Sequence, residues 1–147
     1  MEDSYRIKPI GIVRCTFKTR DEITESKKRG NVGEIELFEE YEEGLSDIDG
    51  FSHIIVVWWM HKSDFRGLKV KPLHFPEKLR GVFATRHPDR PNPIGLTAVQ
   101  LLERKGNILK VRGIDMIDGT PVIDIKPYLE SDRKDGGRLG WLTGRNI

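Results

Sequence analysis

The chain has a single cysteine, Cys15, in 147 residues. One thiol cannot close an intramolecular disulfide, so the fold must be held by packing alone, and this usage fits a reducing, cytoplasmic compartment. Long apolar runs are also missing. The longest, residues 54–60, is far too short to cross a bilayer, and residues 1–8 mix acidic and basic groups instead of opening a leader. No membrane partner is expected. The histidines His53, His61, His74 and His87 have no HxxH or HExxH spacing, and one cysteine makes no zinc motif, so no metal is expected either. The absence of GxSxG, of a P-loop and of a GxGxxG turn argues against a serine nucleophile elbow, a phosphate loop and a Rossmann nucleotide site. No apolar pattern of period 3.6 persists for three turns, and there is no repeat, which excludes helical bundles and solenoids. The formal net charge of +2 permits nucleic-acid contact without demanding it.

What remains is a series of short β-type segments. Residues 5–15 read as a first strand with a kink or bulge at Gly11. Residues 16–31 are polar and read as a mobile loop whose basic tip is Lys27-Lys28-Arg29. Residues 33–38 alternate polar and apolar, the period of a half-buried strand. Residues 39–44 suit one helical turn closed by Gly44. Residues 53–61 are β-branched and aromatic on both faces and predict a central, fully buried strand, with Trp58 and Trp59 as packing groups. Residues 62–80 form a second, basic loop. Residues 96–102 and 108–114 predict a hairpin, and residues 122–126 a last strand. Trp141 and Leu142 are candidate anchors for the tail. Six or seven short strands in one domain of this size predict an all-β fold: a small antiparallel β-barrel with minor helix, spanning residues 1–147.

Polar residues gather at strand ends in three places. The most informative stretch is Gly81-Val82-Phe83-Ala84-Thr85-Arg86-His87-Pro88-Asp89-Arg90-Pro91-Asn92-Pro93-Ile94-Gly95-Leu96. Its three prolines fix their own φ and push the preceding residues into extended geometry, so the loop is stiff and aims two guanidiniums and an amide. That suits a polar, anionic ligand. The second cluster is His61-Lys62, where the apolar strand meets loop. The third is residues 115–121, with the Asp118-Gly119-Thr120-Pro121 turn, followed by Asp124 and Lys126. Strand alternation puts Asp124 and Lys126 on one face, where they either pair with each other or line a pocket beside Asp115 and Asp118.

The stretches GVFATRHPDRPNPIGL (residues 81–96) and DGTPVIDIKPY (residues 118–128) closely resemble the hallmarks of the TsaA-like, or TrmO, family of tRNA methyltransferases. Pro9-Ile10-Gly11-Ile12-Val13 and the segment from Asp49 to Lys62 add weaker support, and the resemblance covers residues 5–130. It implies a β-barrel that binds S-adenosylmethionine without a Rossmann fold, a homodimer with the cofactor near the subunit interface, and methylation of N6 of threonylcarbamoyladenosine beside the tRNA anticodon. It assigns His61, Lys62, Arg86, Leu96, Gly113, Ile114 and Asp115 to the cofactor, and Arg90, Asn92, Thr120, Lys126 and Tyr128 to the substrate. Asp115, Asp118 and Asp124 stand as candidates for a general base. Lys27, Lys28, Arg29, Lys69, Lys71 and Arg80 are candidate phosphate contacts in the anticodon loop. Two features depart from the family pattern. The loop after the first strand reads Phe17-Lys18-Thr19-Arg20-Asp21-Glu22 in place of a Pro-Arg-Gln stretch, and the chain is expected to be a short form without the additional C-terminal domain. A same-fold methyltransferase with another substrate, and a non-catalytic module for a nucleotide-like ligand, therefore remain as alternatives.

Overall fold

The computed structural model describes residues 3–26 and 30–146. Strands β1 (Gly11–Arg14), β2 (Val32–Leu37), β3 (His53–Trp59), β4 (Lys69–Val70), β5 (Arg80–Gly81), β6 (Ile94–Lys105), β7 (Ile108–Arg112) and β8 (Pro121–Pro127) carry the architecture. Six of them close a barrel in the order β1-β2-β7-β6-β3-β8, every pair antiparallel, while β4 and β5 form a separate ribbon. One short helix, α1 (Arg20–Ser26), lies between β1 and β2.

Period-two alternation sends Val13, Ile35, Leu37, Ile54, Val56, Val99, Leu109, Val111 and Val122 into the barrel, where all are buried. Each such side chain contributes about 1.5–3 kcal/mol on leaving water, which is how a chain without disulfides holds a closed sheet. Strand β3 is central, flanked by β6 and β8, as the apolar run predicts. It is not buried on both faces: Ile54 and Val56 are buried, whereas Ile55 and Val57 are half-exposed on the outside. A barrel has one dry face, so an apolar outer face signals what lies over it rather than a second core.

Other local readings need correction. Residues 16–31 are not simply a loop, because α1 occupies part of them. Its start is written in Thr19-Arg20-Asp21-Glu22, where the Glu22 N–H donates to Thr19 Oγ1 (3.2 Å) and the Lys18 N–H to Glu22 Oε2 (2.8 Å). A helix of seven residues is too short to display periodicity. The basic tip, residues 27–29, lies outside the described residues. Gly11 makes no bulge; it opens β1, where a Cβ would sit 2.5 Å from the Glu36 carbonyl oxygen. The turn at residues 39–44 is a 3-10 helix running past Gly44 to Leu45. The hairpin is tighter than expected, since β6 continues to Lys105 and only Gly106 and Asn107 make the turn.

Antiparallel closure has one consequence for function. The ends of β1, β3 and β7 and the starts of β2, β6 and β8 share one rim of the barrel. Residues 15–26, 30–31, 60–93 and 113–120, which hold most of the polar candidates, therefore meet there.

Candidate functional site

At that rim the barrel opens into a cleft of about 940 Å³. Its floor is made by strand residues. Trp58 and Gly95 are cross-strand neighbours, and the indole lies so close to the glycine that a Cβ there would be 2.2 Å from the ring. The ring thus occupies the space a side chain would take. Its Nε1–H donates to Thr97 Oγ1 (3.0 Å), and the Thr97 hydroxyl donates to Asp115 Oδ1 (2.7 Å). Because Thr97 accepts from the indole, its only proton goes to the carboxylate. Asp115 is held in the cleft by a two-step relay from the core.

The proline loop forms one wall, and it is braced internally. Thr85 Oγ1 donates to the Val82 carbonyl (2.8 Å) and accepts from the His87 N–H (3.1 Å). Arg90 Nη1 donates to the carbonyls of Thr85 (3.0 Å) and His87 (3.2 Å). The Asp89 N–H donates to His87 Nδ1 (3.1 Å), which fixes that imidazole as neutral with its proton on Nε2. Burial pushes the His87 pKa below the usual 6.5, with Asp89 opposing and Arg20 and Arg90 adding to the depression. A depressed folded pKa means that this bond stabilises the loop above the unfolded value and is lost as pH falls through the folded one. The Asp89 amide resonance should therefore titrate with a midpoint below that of a free imidazole. A midpoint above it would contradict the assigned tautomer.

Helix α1 and the segment after β3 form the second wall. Arg20 Nη2 donates to the Lys62 carbonyl (3.0 Å) and lies 3.9 Å from Asp89 Oδ1, while Asp89 Oδ1 also accepts from the Asp64 N–H (2.8 Å). Arg20 thereby ties α1 to both neighbouring loops. His61, exposed beside Lys62, has a lowered pKa, with partial loss of hydration the larger cause and the lysine charge the second. The rim carries exposed apolar groups, Leu73, Phe83, Ile94 and Leu96. A second, shallower hollow of about 440 Å³ on the barrel side is lined by charged groups of both signs, Arg14, Glu34, Glu103, Lys105 and Lys110, but by no aromatic ring.

The family model described as the tRNA-methyltransferase O N-terminal domain matches residues 12–133. The chain belongs to this TrmO family. It is 50% identical over 138 residues to a probable S-adenosyl-L-methionine-binding protein of Pyrococcus abyssi, covering 92% of this chain and 74% of that one. It is 36% identical over 138 residues to the tRNA (adenine(37)-N6)-methyltransferase of Escherichia coli, covering 86% of this chain and 58% of the enzyme. The crystal structure of TrmO from Pseudomonas aeruginosa superposes with a TM-score of 0.78 at 32% identity, over 94% of this chain and 62% of that one. The chain thus spans less than two thirds of the length of these two TrmO proteins.

Within this TrmO barrel the resemblance-assigned residues separate. His61, Lys62, Arg86, Leu96 and Asp115 all line the cleft. Gly113 and Ile114 do not: the Ile114 side chain is buried in the core, and its carbonyl accepts from Asn31 Nδ2 (3.3 Å). Arg90 and Thr120 reach the cleft, but Arg90 Nη1 braces the loop and the Thr120 hydroxyl donates to the Ile117 carbonyl (2.6 Å). Asn92 is exposed outside the cleft, where its carbonyl accepts from Ile94. Asp118 is engaged below the rim, accepting from Lys18 Nζ (2.6 Å) and the Cys15 N–H (3.0 Å), and these two bonds hold its carboxyl below the usual carboxylate range. Burial raises the Cys15 thiol pKa, and its Sγ–H faces the Met116 carbonyl (3.4 Å), as a packing group would.

Asp124, Lys126 and Tyr128 lie away from the cleft. A bulge between the β3 partners Val57 and Trp58 gives Trp58 a partner in Val122 and Val57 one in Asp124. Asp124 and Lys126 therefore share the outer face, and they pair with each other at 2.9 Å. Tyr128 packs against His53, with ring centroids 6.2 Å apart. Of the candidate phosphate contacts in described segments, Arg80 is stacked on Trp141 instead (4.4 Å to the ring centroid). Sequence reasoning did not single out Thr97, Arg20, Phe83 or Trp58 as site residues. A threonine within an apolar strand carries no motif, and its role depends on its cross-barrel partners.

Among the described residues, no cluster of three or more His, Cys, Asp or Glu could hold a metal, and no helix is long and apolar enough to cross a membrane.

Proposed function

We propose that this chain is an S-adenosylmethionine-dependent tRNA (adenine-N6)-methyltransferase whose cleft binds the methyl donor and the target base, and that the base is threonylcarbamoyladenosine beside the anticodon. Asp115, held by Trp58 and Thr97 in a cleft shared with His61, Lys62 and Arg86, is the observation that carries this reading.

The residues fit the group. Lys62 and Arg86 are cations suited to a carboxylate, Leu96, Ile94 and Phe83 offer apolar contact for a base and a thioether chain, and the volume lies at the upper end of small-molecule sites. S-adenosylmethionine, when bound, supplies an electrophilic methyl group. The chain's own task is alignment, which can lower a barrier by about 7–11 kcal/mol. The N6 of threonylcarbamoyladenosine belongs to a urea-like group and must lose its proton as the N–C bond forms. Asp115 accepts that proton; Asp118, held below the usual carboxylate range by Lys18 and the Cys15 N–H, is a weak base, and Asp124 faces away. With Arg86 on the methionine carboxylate, Arg90 is the guanidinium left for the threonyl carboxylate, and a guanidinium that needs one discriminates against adenosine without the threonylcarbamoyl group. Loops carrying Lys69 and Lys71 contact tRNA phosphates. The domain works as a cytoplasmic homodimer, and the exposed Phe83 and Leu96 at the rim support a subunit partner there.

Incubation with S-adenosylmethionine and two tRNAs, one carrying threonylcarbamoyladenosine and one unmodified, followed by nucleoside mass spectrometry, tests this directly. One added methyl on the hypermodified nucleoside alone is expected. Methylation of both tRNAs would remove the carboxylate selection. Binding without transfer would favour a ligand-binding module, in line with the Pyrococcus abyssi relative, a probable S-adenosyl-L-methionine-binding protein.

A further inference from the structure

We propose that the C-terminal segment, residues 140–145, is a clasp that sets the width of the cleft, with Trp141 as its positioning residue. The proposal rests on the reading of the cleft as the S-adenosylmethionine site.

Trp141 joins three points of the segment that leads into the proline loop. Its Nε1–H donates to the Ala84 carbonyl (2.8 Å), two residues before Arg86. The Arg80 guanidinium lies over its ring at 4.4 Å, and Phe75 meets it edge-on, with centroids 6.2 Å apart and planes at 86°. Arg145 fastens the far side by lying over the Phe75 ring at 5.0 Å and pairing with Glu77. Trp141 and Leu142 line the cleft together with Phe75, Ala84 and Arg86. One face of the indole is taken by Arg80, so the ring works by holding residues 75–84 in place.

Two further observations separate this clasp from the barrel. None of residues 140–145 belongs to the core cluster or packs against it. The family match ends at residue 133, so the wall is supplied from outside the matched segment. The buried Arg80 Nε has no hydrogen-bond partner among the described residues, and the indole face, with the nearby Glu77 carboxylate, offsets its charge. Without Trp141, the Ala84 carbonyl and the Arg80 guanidinium turn to water, and the segment bearing Arg86 loses its outer anchor.

Calorimetric titration of S-adenosylmethionine into wild type, Trp141→Ala, Trp141→Phe and Arg145→Gln, paired with thermal unfolding, tests the clasp. Trp141→Ala should weaken binding about tenfold, the scale of a lost hydrogen bond together with a cation–π contact. Its unfolding midpoint should stay within about 2–4 °C of wild type. Trp141→Phe keeps the ring under Arg80 and should recover part of the affinity; Arg145→Gln, which gives up the ion pair with Glu77 and the ring contacts to Phe75 and Trp141 at a partly exposed position, should lose only a few-fold. Unchanged affinity in Trp141→Ala overturns the clasp while wild-type binding leaves the site assignment standing. So does a large fall in the unfolding midpoint with no recovery in Trp141→Phe, because it would make the tail part of the barrel's stability. No binding by wild type overturns the site assignment and the clasp together.

Discussion

Asp115→Asn should lower kcat for methyl transfer by about 10²–10⁴-fold, the usual contribution of a positioned general base. The substitution is nearly isosteric. The amide oxygen can still accept from Thr97, so the relay from Trp58 persists while the charge and basicity are lost. Single-turnover kinetics on modified tRNA at saturating S-adenosylmethionine would read the effect. A raised KM with kcat intact would instead make Asp115 a ground-state binding group. Thr97→Val separates position from basicity, because it removes the hydroxyl between Trp58 and Asp115 and leaves the carboxylate. Its effect on kcat should be smaller, and the double variant should be no worse than Asp115→Asn alone, since the two residues act as a unit. Additive losses would mean that Thr97 acts by another route.

Gly95→Ala should be costly for a residue that gains only a methyl group. The new Cβ would stand 2.2–2.7 Å from three indole atoms of Trp58. A rigid bicyclic ring cannot flex away as a lysine tip would, and Trp58 packs against the buried core. Overpacking of this kind costs about 1–3 kcal/mol. Any shift of the ring also draws Nε1 away from Thr97, so activity should fall together with stability. Chemical denaturation and the methyl-transfer rate would check both. An unchanged midpoint would show that the indole has room to move, and that the floor of the cleft is less rigid than its contacts imply.

How much of this was legible in the sequence depended on the range of the interactions. Strand composition and alternation are local, and they predicted β1, β2, β3, β8 and the β6–β7 hairpin. The proline loop was legible for the same reason, since each ring constrains its own residue and the one before it. Helix α1 carried a readable start at Thr19-Arg20-Asp21-Glu22, but seven residues give no period, so it passed for loop. The apolar outer face of β3 suggested burial on both sides because periodicity cannot tell a barrel wall from a sandwiched sheet. The site residues divided along the same line. His61, Lys62, Arg86, Leu96 and Asp115, assigned through the resemblance, line the cleft, whereas Thr97 became visible only when closure set β6 against the segment after β7. Asp124 was placed with Asp118 by proximity in sequence, and the bulge in β8 carries it to the outer face. Trp141 was legible as an anchor, but what it anchors lies 57 residues away.

The most direct test of the whole account is a crystal structure with S-adenosylhomocysteine bound. Density is expected in the cleft between Arg86, Leu96 and Asp115, with the Trp58–Thr97–Asp115 relay intact beneath it. Density in the shallower hollow beside Arg14, Gly33 and Lys110 would contradict the assignment of the site and the roles derived from it.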